Sequence, residues 1–395
     1  MFALTRLIGE IDLKKRRAGM SSKLIVVKVG TASLTKNNGV LNKKLMGELV
    51  DQIAKAIKQG HKIVFVTSGA VAAGLSELEI PPKPNDIVFQ QVCAATGQNI
   101  IMATYRELFK KHNLKVAQIL LTAEDLSNRA AYLHICDVLE MALELGIVPI
   151  INENDVTSTD ELIPITKGYE VNFSDNDNLS VLVANALEAD TVIILSNVDG
   201  LFTLPPKKKG AKLIQTVKQV TPELKCEIEG KSKFGRGGME TKLKAAEVAT
   251  ESGIPLVIAN SQKENVITDI IAGKQVGTLF KAQQKLPKIK RWITFGASVK
   301  GQIFVNKGAK KAILEGASLL PVGVTNIEGT FNEGDVVSLI DHNGDEFAKA
   351  NPNYNSGEIG AIKGLKTKQI KKALGYIRHK EVVARKNICL LKCEL

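Results

Sequence analysis

The sequence has no long apolar run, few aromatic residues and no paired cysteines. Its apolar segments end after about six residues, far short of the roughly 20 that a membrane-spanning helix needs. Five cysteines are scattered through the chain without metal-binding spacings, at Cys93, Cys136, Cys226, Cys389 and Cys393. We therefore expect neither a disulfide framework nor a zinc site, but reduced thiols in a cytoplasmic protein with no membrane segment.

Histidine is also scarce, and its five occurrences follow no recurring arrangement with serine, cysteine or aspartate. This argues against a hydrolase built on a Ser-His-Asp triad and against a histidine-ligated metal enzyme. An enzyme that acts on a hydroxyl group usually needs a general base, whereas a carboxylate with a pKa near about 4 is already an anionic nucleophile at neutral pH. If the enzyme transfers a group to its substrate, the scarcity of histidine thus favours a carboxylate as the substrate group that accepts it.

The formal net charge of +12 is concentrated in the C-terminal part of the chain. Residues 281–395 hold 20 Lys/Arg against 10 Asp/Glu, whereas residues 23–280, with 28 against 29, are nearly neutral. Such a basic segment predicts a solvated surface or, as the alternative, an RNA-binding domain. Because it has few aromatic residues and no stacking cluster, RNA binding is the less favoured main role.

A chain of 395 residues exceeds one hydrophobic core, and the sequence pattern divides it into parts. From residue 23 to residue 280, β-branched runs alternate with helical patterns, which predicts an α/β three-layer sandwich with a mainly parallel sheet. Residues 281–296 lack periodicity and are predicted to be a linker. Residues 297–380 have the short alternating strands of a small β-rich domain, and 381–395 form a tail. We expect residues 1–22 to be a disordered extension.

The predicted elements place polar residues at the carboxyl ends of the strands. Strands are predicted at 24–29, 62–67, 115–121, 147–152, 191–196 and 255–259, and helices at 42–59, 70–78, 88–111, 124–145, 177–188 and 238–252. In an open parallel sheet, ligands bind beyond the carboxyl ends of the strands. Lys28, Ser68, Asp155 and Asn197 fall at those ends.

Two segments combine glycine with lysine in a way that suits a polyphosphate. Lys28 lies inside an apolar strand and is followed by Gly30, and the string GRGGMETK at 235–242 leads into a helix that contains Lys242. Backbone amides freed by glycine and lysine ammonium groups are what phosphates need. The alternatives are that Lys28 pairs with a carboxylate or snorkels, and that the glycines make an ordinary turn. GRGGMETK is not a Walker A loop, since no Ser/Thr follows its lysine.

Acidic and amide residues are dense at two neighbouring strand–helix junctions. They are Asn154, Asp155, Asp175, Asn176, Asp177 and Asn178. Such residues often cap helices, and that interpretation stays open beside a functional one. The functional interpretation is that they bind an ammonium group, orient the lysines or contact magnesium.

At these motifs the chain resembles the amino acid kinase family, with a PUA domain at the C-terminal end. The resemblance covers about residues 23–375 and rests on VVKVGTASL, VTSGAVAAG, VPIINENDV, DNDNLS, GRGGMETK, SLLPVGV and FNEGDVV. The strings TSGAVAAG and INEND favour the members that act on glutamate. The alternatives are sister kinases acting on acetylglutamate or aspartate, or an RNA-binding PUA protein whose kinase domain is not catalytic.

The resemblance implies roles for named residues. Lys28 and Lys242 would neutralise the transferred phosphates, and Asp177 would hold both lysines. Ser68, Asp155 and Asn176 would bind glutamate. The positions that would bind ATP, besides Lys28, are Ser196, Asn197, Arg236, Gly237, Gly238, Met239, Glu240, Thr241 and Lys242. Asn197 stands where the family commonly has aspartate.

The resemblance also implies the reaction and its partners. ATP and L-glutamate would give ADP and L-glutamyl 5-phosphate, the first step of proline biosynthesis, with Mg²⁺ bound to the nucleotide and no metal site of the protein itself. Proline is expected as a feedback inhibitor, a glutamyl phosphate reductase as the pathway partner, and a homo-oligomer as the assembly.

Overall fold

The computed structural model describes residues 22–36, 40–81, 83, 86–158, 176–229, 238–283 and 286–391. The chain forms two compact units. The first consists of Met1–Thr122 and Val138–Lys285, and the second of Ala123–Asp137 and Leu286–Leu395. The predicted extension at 1–22, except for its last residue, lies outside the described residues.

A sheet of eight strands forms the centre of the first unit. The strands are β1 (Leu24–Val29), β2 (Lys62–Val66), β3 (Lys115–Leu121), β4 (Ile147–Glu153), β5 (Thr191–Ser196), β6 (Thr216–Val217), β7 (Leu256–Asn260) and β8 (Thr278–Phe280). Their order is β3-β4-β2-β1-β5-β7-β8-β6, and every neighbouring pair is parallel except β7 with β8. The strands that carry predicted site residues, β4, β2, β1 and β5, are thus consecutive, with their carboxyl ends at one edge.

Helices connect these strands. They are α1 (Thr31–Leu34), α2 (Lys43–Lys58), α3 (Ala70–Leu78), α4 (Ile87–Lys110), α5 (Ala123–Ser127), α6 (Arg129–Glu144), α7 (Asn176–Leu187), α8 (Pro222–Glu229), α9 (Met239–Glu251) and α10 (Val266–Ile271). Helix α2 begins where Asn42 accepts a hydrogen bond from Leu45 N and buries one apolar face. Every residue of α7 is buried, so α7 is a core helix without a solvent face.

The second unit has its own sheet and core. Its strands are β9 (Val299–Val305), β10 (Val324–Glu328), β11 (Val336–Ile340), β12 (Glu346–Ala350) and β13 (Ile388–Leu390), in the order β10-β9-β11-β12-β13. Its C-terminal helices are α11 (Lys288–Arg291), which continues as a π-helical turn over Trp292–Gly296, α12 (Lys307–Leu314), α13 (Ser356–Ile362) and α14 (Ile370–Leu374). Buried aliphatic and aromatic side chains from strands and helices form one core here.

The segments predicted as linker and tail both contain regular structure. Within 281–296, α11 and the π-helical turn bury Trp292, whose indole N–H donates to the carbonyl oxygen of Leu126 at 3.2 Å. Within 381–395, β13 pairs antiparallel with β12. The second unit therefore includes chain on both sides of the predicted β-rich domain, as well as residues 123–137.

The predicted fold class is confirmed. A large, mainly parallel sheet with helices and a separate small β-rich sheet are both present. Within the described residues, none of the helices is both long enough and apolar enough to cross a membrane.

Two glycines allow the backbones of α3 and α4 to touch. A Cβ atom on Gly74 would lie 1.8 Å from the carbonyl oxygen of Cys93, and one on Gly97 would lie 1.9 Å from that of Ala70. Helix α3 begins directly after Gly69 and α4 contains Gln98, so this contact fixes two elements that border the candidate site.

We expect Gly97→Ala to destabilise the first unit by more than about 2 kcal/mol, because a methyl group overlapping a backbone oxygen forces the helices apart. Gly47→Ala in α2 is the matched control, since its Cβ would meet only Leu108 Cδ2 at 3.7 Å and alanine favours the helix. Thermal unfolding should show a large fall in Tm for the first variant and none for the second. Equal Tm values would contradict the close helix contact.

Candidate active site

Two lysines from distant parts of the sequence bind one buried carboxylate. Lys28 Nζ lies 2.6 Å from Asp177 Oδ1, and Lys242 Nζ lies 2.9 Å from Asp177 Oδ2. Asp177 is fully buried, and Lys28 and Lys242 are only 3% and 7% exposed. The structure thus brings together the two lysines that were expected to neutralise the phosphates and the aspartate that was expected to hold them.

Each member of this cluster comes from a different element at the carboxyl edge of the sheet. Lys28 is the penultimate residue of β1, a central strand buried on both faces. Asp177 lies in the first turn of the buried helix α7, and Lys242 in the first turns of α9. Thr241 Oγ1 also donates to Asp177 Oδ2 at 3.2 Å, a contact that the sequence pattern did not predict.

Electrostatics keeps Asp177 ionised. Burial alone raises the pKa of its carboxyl group, but the charges of Lys28 and Lys242 and their hydrogen bonds outweigh burial and lower this pKa to about 2. Asp177 therefore stays a carboxylate at any physiological pH. Its negative charge holds two ammonium groups side by side, an arrangement that suits the oxygen atoms of a polyphosphate.

Ser68 lies in a tight turn between β2 and α3. Gly69 adopts a left-handed conformation with φ of 96°, which L side chains rarely take, and it is the residue that precedes α3. The turn is fixed to its surroundings because Thr67 N donates to Ile151 O at 2.8 Å and the Thr67 hydroxyl lies 3.1 Å from the Tyr105 hydroxyl. Ser68 is buried at this edge of the sheet.

Asp155 lines a cavity of about 260 Å³ beyond the end of β4. Asp155 is 7% exposed, and its Oδ1 atom has no hydrogen-bond partner among the described residues. Burial, followed by repulsion from Glu153, raises the pKa of the Asp155 carboxyl group to about 7. The cavity therefore contains an acidic group whose charged form is costly unless a cation is bound.

The predicted nucleotide-binding residues lie at two places on the same edge. Ser196 ends β5 and Asn197 follows it, with Ser196 Oγ 3.4 Å from Asn197 Oδ1. Gly238 precedes α9 and, having no side chain, does not cap the first N–H groups of this helix. The remaining positions of this stretch are Met239, Glu240, Thr241 and Lys242 in the first turns of α9. Glu240 pairs with Lys244 at 3.0 Å and is exposed.

Three of the residues singled out in the sequence lie outside the described residues. These are Arg236, Gly237 and Asp175, whereas Asn176 is described and is the buried first residue of α7.

A polar cluster that the sequence analysis did not predict lies next to β5. Asn260 Nδ2 donates to Asp199 Oδ1 at 3.1 Å, and Lys263 Nζ lies 3.4 Å from the same atom. This polar cluster is a neighbour of Ser196 through the β5–β7 pairing. No strand-to-turn motif marked it in the sequence.

The backbone amide of Gly30 is engaged within the sheet. Its N–H donates to the carbonyl oxygen of Leu195 at 3.3 Å. A Cβ atom at this position would lie 3.6 Å from Lys28 Nζ, which is an ordinary contact distance, so the described residues show no steric need for glycine here. The expectation that the Gly30 amide binds phosphate therefore finds no support in this geometry.

Known proteins with similar sequences share this organisation. A sequence profile of the amino acid kinase family matches residues 23–260, and one of the PUA domain matches residues 301–374. The chain is 42% identical over 372 residues to the glutamate 5-kinase of a Thermoanaerobacter species, covering 93% of this chain and 98% of that protein. It is 43% identical over 378 residues to the glutamate 5-kinase of Methanosarcina acetivorans, with 93% and 96% covered. For the glutamate 5-kinase of Dehalococcoides mccartyi the identity is 42% over 373 residues, with 93% and 98% covered. These similarities confirm the resemblance predicted from the motifs.

We expect Asp177→Asn to lower the free energy of unfolding by about 3 kcal/mol, because two buried ammonium groups lose the carboxylate they share. The pKa of Asp177 is lowered from its ordinary value of 3.8 to about 2, so its stabilisation is present above about pH 4 and is lost as the pH falls towards 2. Urea unfolding at pH 7 measures the difference.

Asp269→Asn is the control for this experiment, because its ion pair with Lys274 is partly exposed to solvent, in contrast to the buried Asp177, and should contribute less than about 1 kcal/mol. Similar small losses in both variants would show that the buried carboxylate does not hold the lysines as described.

Proposed function

This chain belongs to the amino acid kinase family, and we propose that it transfers the γ-phosphoryl group of ATP to the side-chain carboxylate of L-glutamate. The products are L-glutamyl 5-phosphate and ADP. The observation that carries the phosphoryl-transfer part of this proposal is the convergence of Lys28 and Lys242 on Asp177. The glutamate part is supported by relatives named glutamate 5-kinase that match 93% of the chain.

In the proposed reaction, a carboxylate oxygen of glutamate attacks the γ-phosphorus while the bond from that phosphorus to the ADP oxygen breaks. Two anions must approach each other, so the main tasks of the protein are positioning and charge stabilisation. Lys28 and Lys242 would bind the oxygens of the transferred group, and Asp177 would hold both lysines in place. No general base is required, because the attacking group is already ionised.

The substrates would lie along the edge formed by β4, β2, β1 and β5. We propose that Ser68, Asp155 and Asn176 bind glutamate, with Asp155 at its α-ammonium group. The nucleotide would lie along Ser196, Asn197 and the segment 236–242 that leads into α9, where helix N–H groups favour phosphates.

We further propose that Mg²⁺ enters with the nucleotide. Both oxygens of Asp177 accept hydrogen bonds from lysines, so the proposal gives this carboxylate the task of orienting the lysines and not of binding the metal ion. The ion would be held by phosphate oxygens and would supply further positive charge there, which fits a site whose own cations are lysines.

The product and the pathway complete the proposal. L-glutamyl 5-phosphate is an acyl phosphate, so a reductase that accepts it is the expected next enzyme in proline biosynthesis. Proline as a feedback inhibitor and a homo-oligomeric assembly belong to the same proposal.

A hydroxamate assay tests the proposed function directly. With ATP, Mg²⁺ and hydroxylamine, an acyl phosphate is trapped as a hydroxamate that forms a coloured complex with added Fe³⁺, so glutamate should give product while N-acetylglutamate and aspartate should give little. If only N-acetylglutamate or only aspartate gave product, the proposal would be wrong and the chain would be a sister kinase acting on that substrate. Repeating the assay with proline tests inhibition in the same experiment.

We predict that Lys28→Ala and Lys242→Ala each lower kcat by on the order of 100-fold, because each removes one cation that stabilises charge on the transferred group. Lys244→Ala is the matched control, since Lys244 is an exposed residue of the same helix α9 that pairs with Glu240. A coupled ADP assay should leave the control near the wild-type rate. Near-normal rates for both Lys28→Ala and Lys242→Ala would contradict their assigned role.

A further inference from the structure

The cavity beyond β4 is lined by two carboxylates. Glu153 is the last residue of β4 and Asp155 lies two residues further on, and both contribute to the same cavity. Both side chains are buried, at 6% and 7% exposed. Two buried acids so close together are unfavourable when both are ionised, because each loses hydration and repels the other.

The rest of the described lining carries no cation. The other lining residues are Ala94, Ala95, Gln98 and Asn99 from α4, Gln118 and Leu120 from β3, and Asn154 and Val156. These are amide or aliphatic side chains, so Glu153 is the titratable group that faces Asp155 within the described lining. A cavity whose described lining contains two acids and no base suits the positively charged end of a ligand.

The hydrogen bonds of Glu153 and Asp155 differ. Ser158 Oγ donates to Glu153 Oε1 at 2.6 Å, which fixes the Glu153 carboxylate. By contrast, Asp155 Oδ1 is buried in the cavity without a hydrogen-bond partner among the described residues. A buried acceptor with no donor is costly, and a donor supplied by a ligand would remove that cost.

We propose that Glu153 is a specificity-determining residue that, with Asp155, recognises the unsubstituted α-ammonium group of the substrate. This inference rests on the proposed function and deepens it. An ammonium group offers three donors and a positive charge to the two carboxylates. An N-acylated amino acid offers one N–H and no positive charge, and glutarate offers neither, so neither compound supplies a cation to the two carboxylates. The pair therefore favours glutamate over N-acetylglutamate.

The pair also predicts how substrate binding depends on pH. Below about pH 7 the Asp155 carboxyl group takes up a proton and no longer attracts the ammonium group, so KM for glutamate rises as the pH falls. Removing the charge of Glu153 removes one of the two causes that raise this pKa. In Glu153→Gln the rise in KM should therefore shift to lower pH.

The test compares KM for glutamate with the inhibition constant of glutarate, a competitor of the same chain length without the ammonium group. Glu153→Gln should raise KM for glutamate about 10- to 100-fold with little change in kcat, since a hydrogen bond to a charged group is lost. The inhibition constant of glutarate should stay the same or fall. Glu107→Gln, at an exposed acid of α4, is the control and should change neither.

The outcomes separate this inference from the proposed function. Wild-type protein that forms no hydroxamate from glutamate would overturn both. If the wild type is active and Glu153→Gln weakens glutamate and glutarate equally, Glu153 has only a structural role and the inference fails. An unchanged KM, or an unchanged pH dependence of KM, in Glu153→Gln would also overturn it.

Discussion

The first unit depends on one buried interaction, in which Asp177 binds Lys28 and Lys242 at the carboxyl edge of the sheet. Removing three charges from water is expensive, and it is tolerated only where the geometry lets opposite charges meet. Here the geometry requires three elements in their final places. These are the central strand β1, the buried helix α7 and the start of α9, whose positions in the sequence are up to 214 residues apart, from Lys28 to Lys242. The site and the fold are therefore formed by the same contacts.

Strand order then determines what can lie beside this cluster. Because β4, β2, β1 and β5 are consecutive parallel neighbours, Asp155, Ser68, Lys28 and Ser196 follow one another along a single edge. Neighbouring strands are about 4.8 Å apart, so the acid cavity beyond β4 lies about 10 Å from the strand that carries Lys28. The glycine contacts between α3 and α4 hold the helices that border this part of the edge.

Much of this arrangement could be predicted from the sequence, for physical reasons that differ between residues. The central strands were predicted to within about one residue because strands buried on both faces are continuous apolar runs that end where polar residues begin. Lys28 could be recognised as a candidate site residue because burying a lysine ammonium group inside such an apolar run costs free energy. Its contact with Asp177 was expected from the family resemblance alone, since no spacing rule links positions 28 and 177.

Other features gave no local signal. Glu153 looks like an ordinary polar residue at the end of a strand, and only the folded chain places it in the same cavity as Asp155. The short strand β13 and the helix over Lys288–Arg291 are stabilised by neighbours far away in the sequence. The grouping of residues 123–137 with the C-terminal unit is likewise a product of long-range packing that periodicity does not encode.

The candidate site has opposite electrostatic character at its two ends, and under the proposed assignments this polarity would orient the substrate. Two carboxylates line the cavity beyond β4, while two ammonium groups share one carboxylate at the end of β1. A free amino acid with an acidic side chain carries an ammonium group and a carboxylate on its α-carbon at one end and a second carboxylate at the other. In the proposed pose its ammonium group would lie between Glu153 and Asp155, which would direct its side-chain carboxylate towards the lysines. In the reverse orientation the side-chain carboxylate would face the two acids, so the proposed charge pattern favours phosphorylation of the side-chain carboxylate, the one remote from the ammonium group.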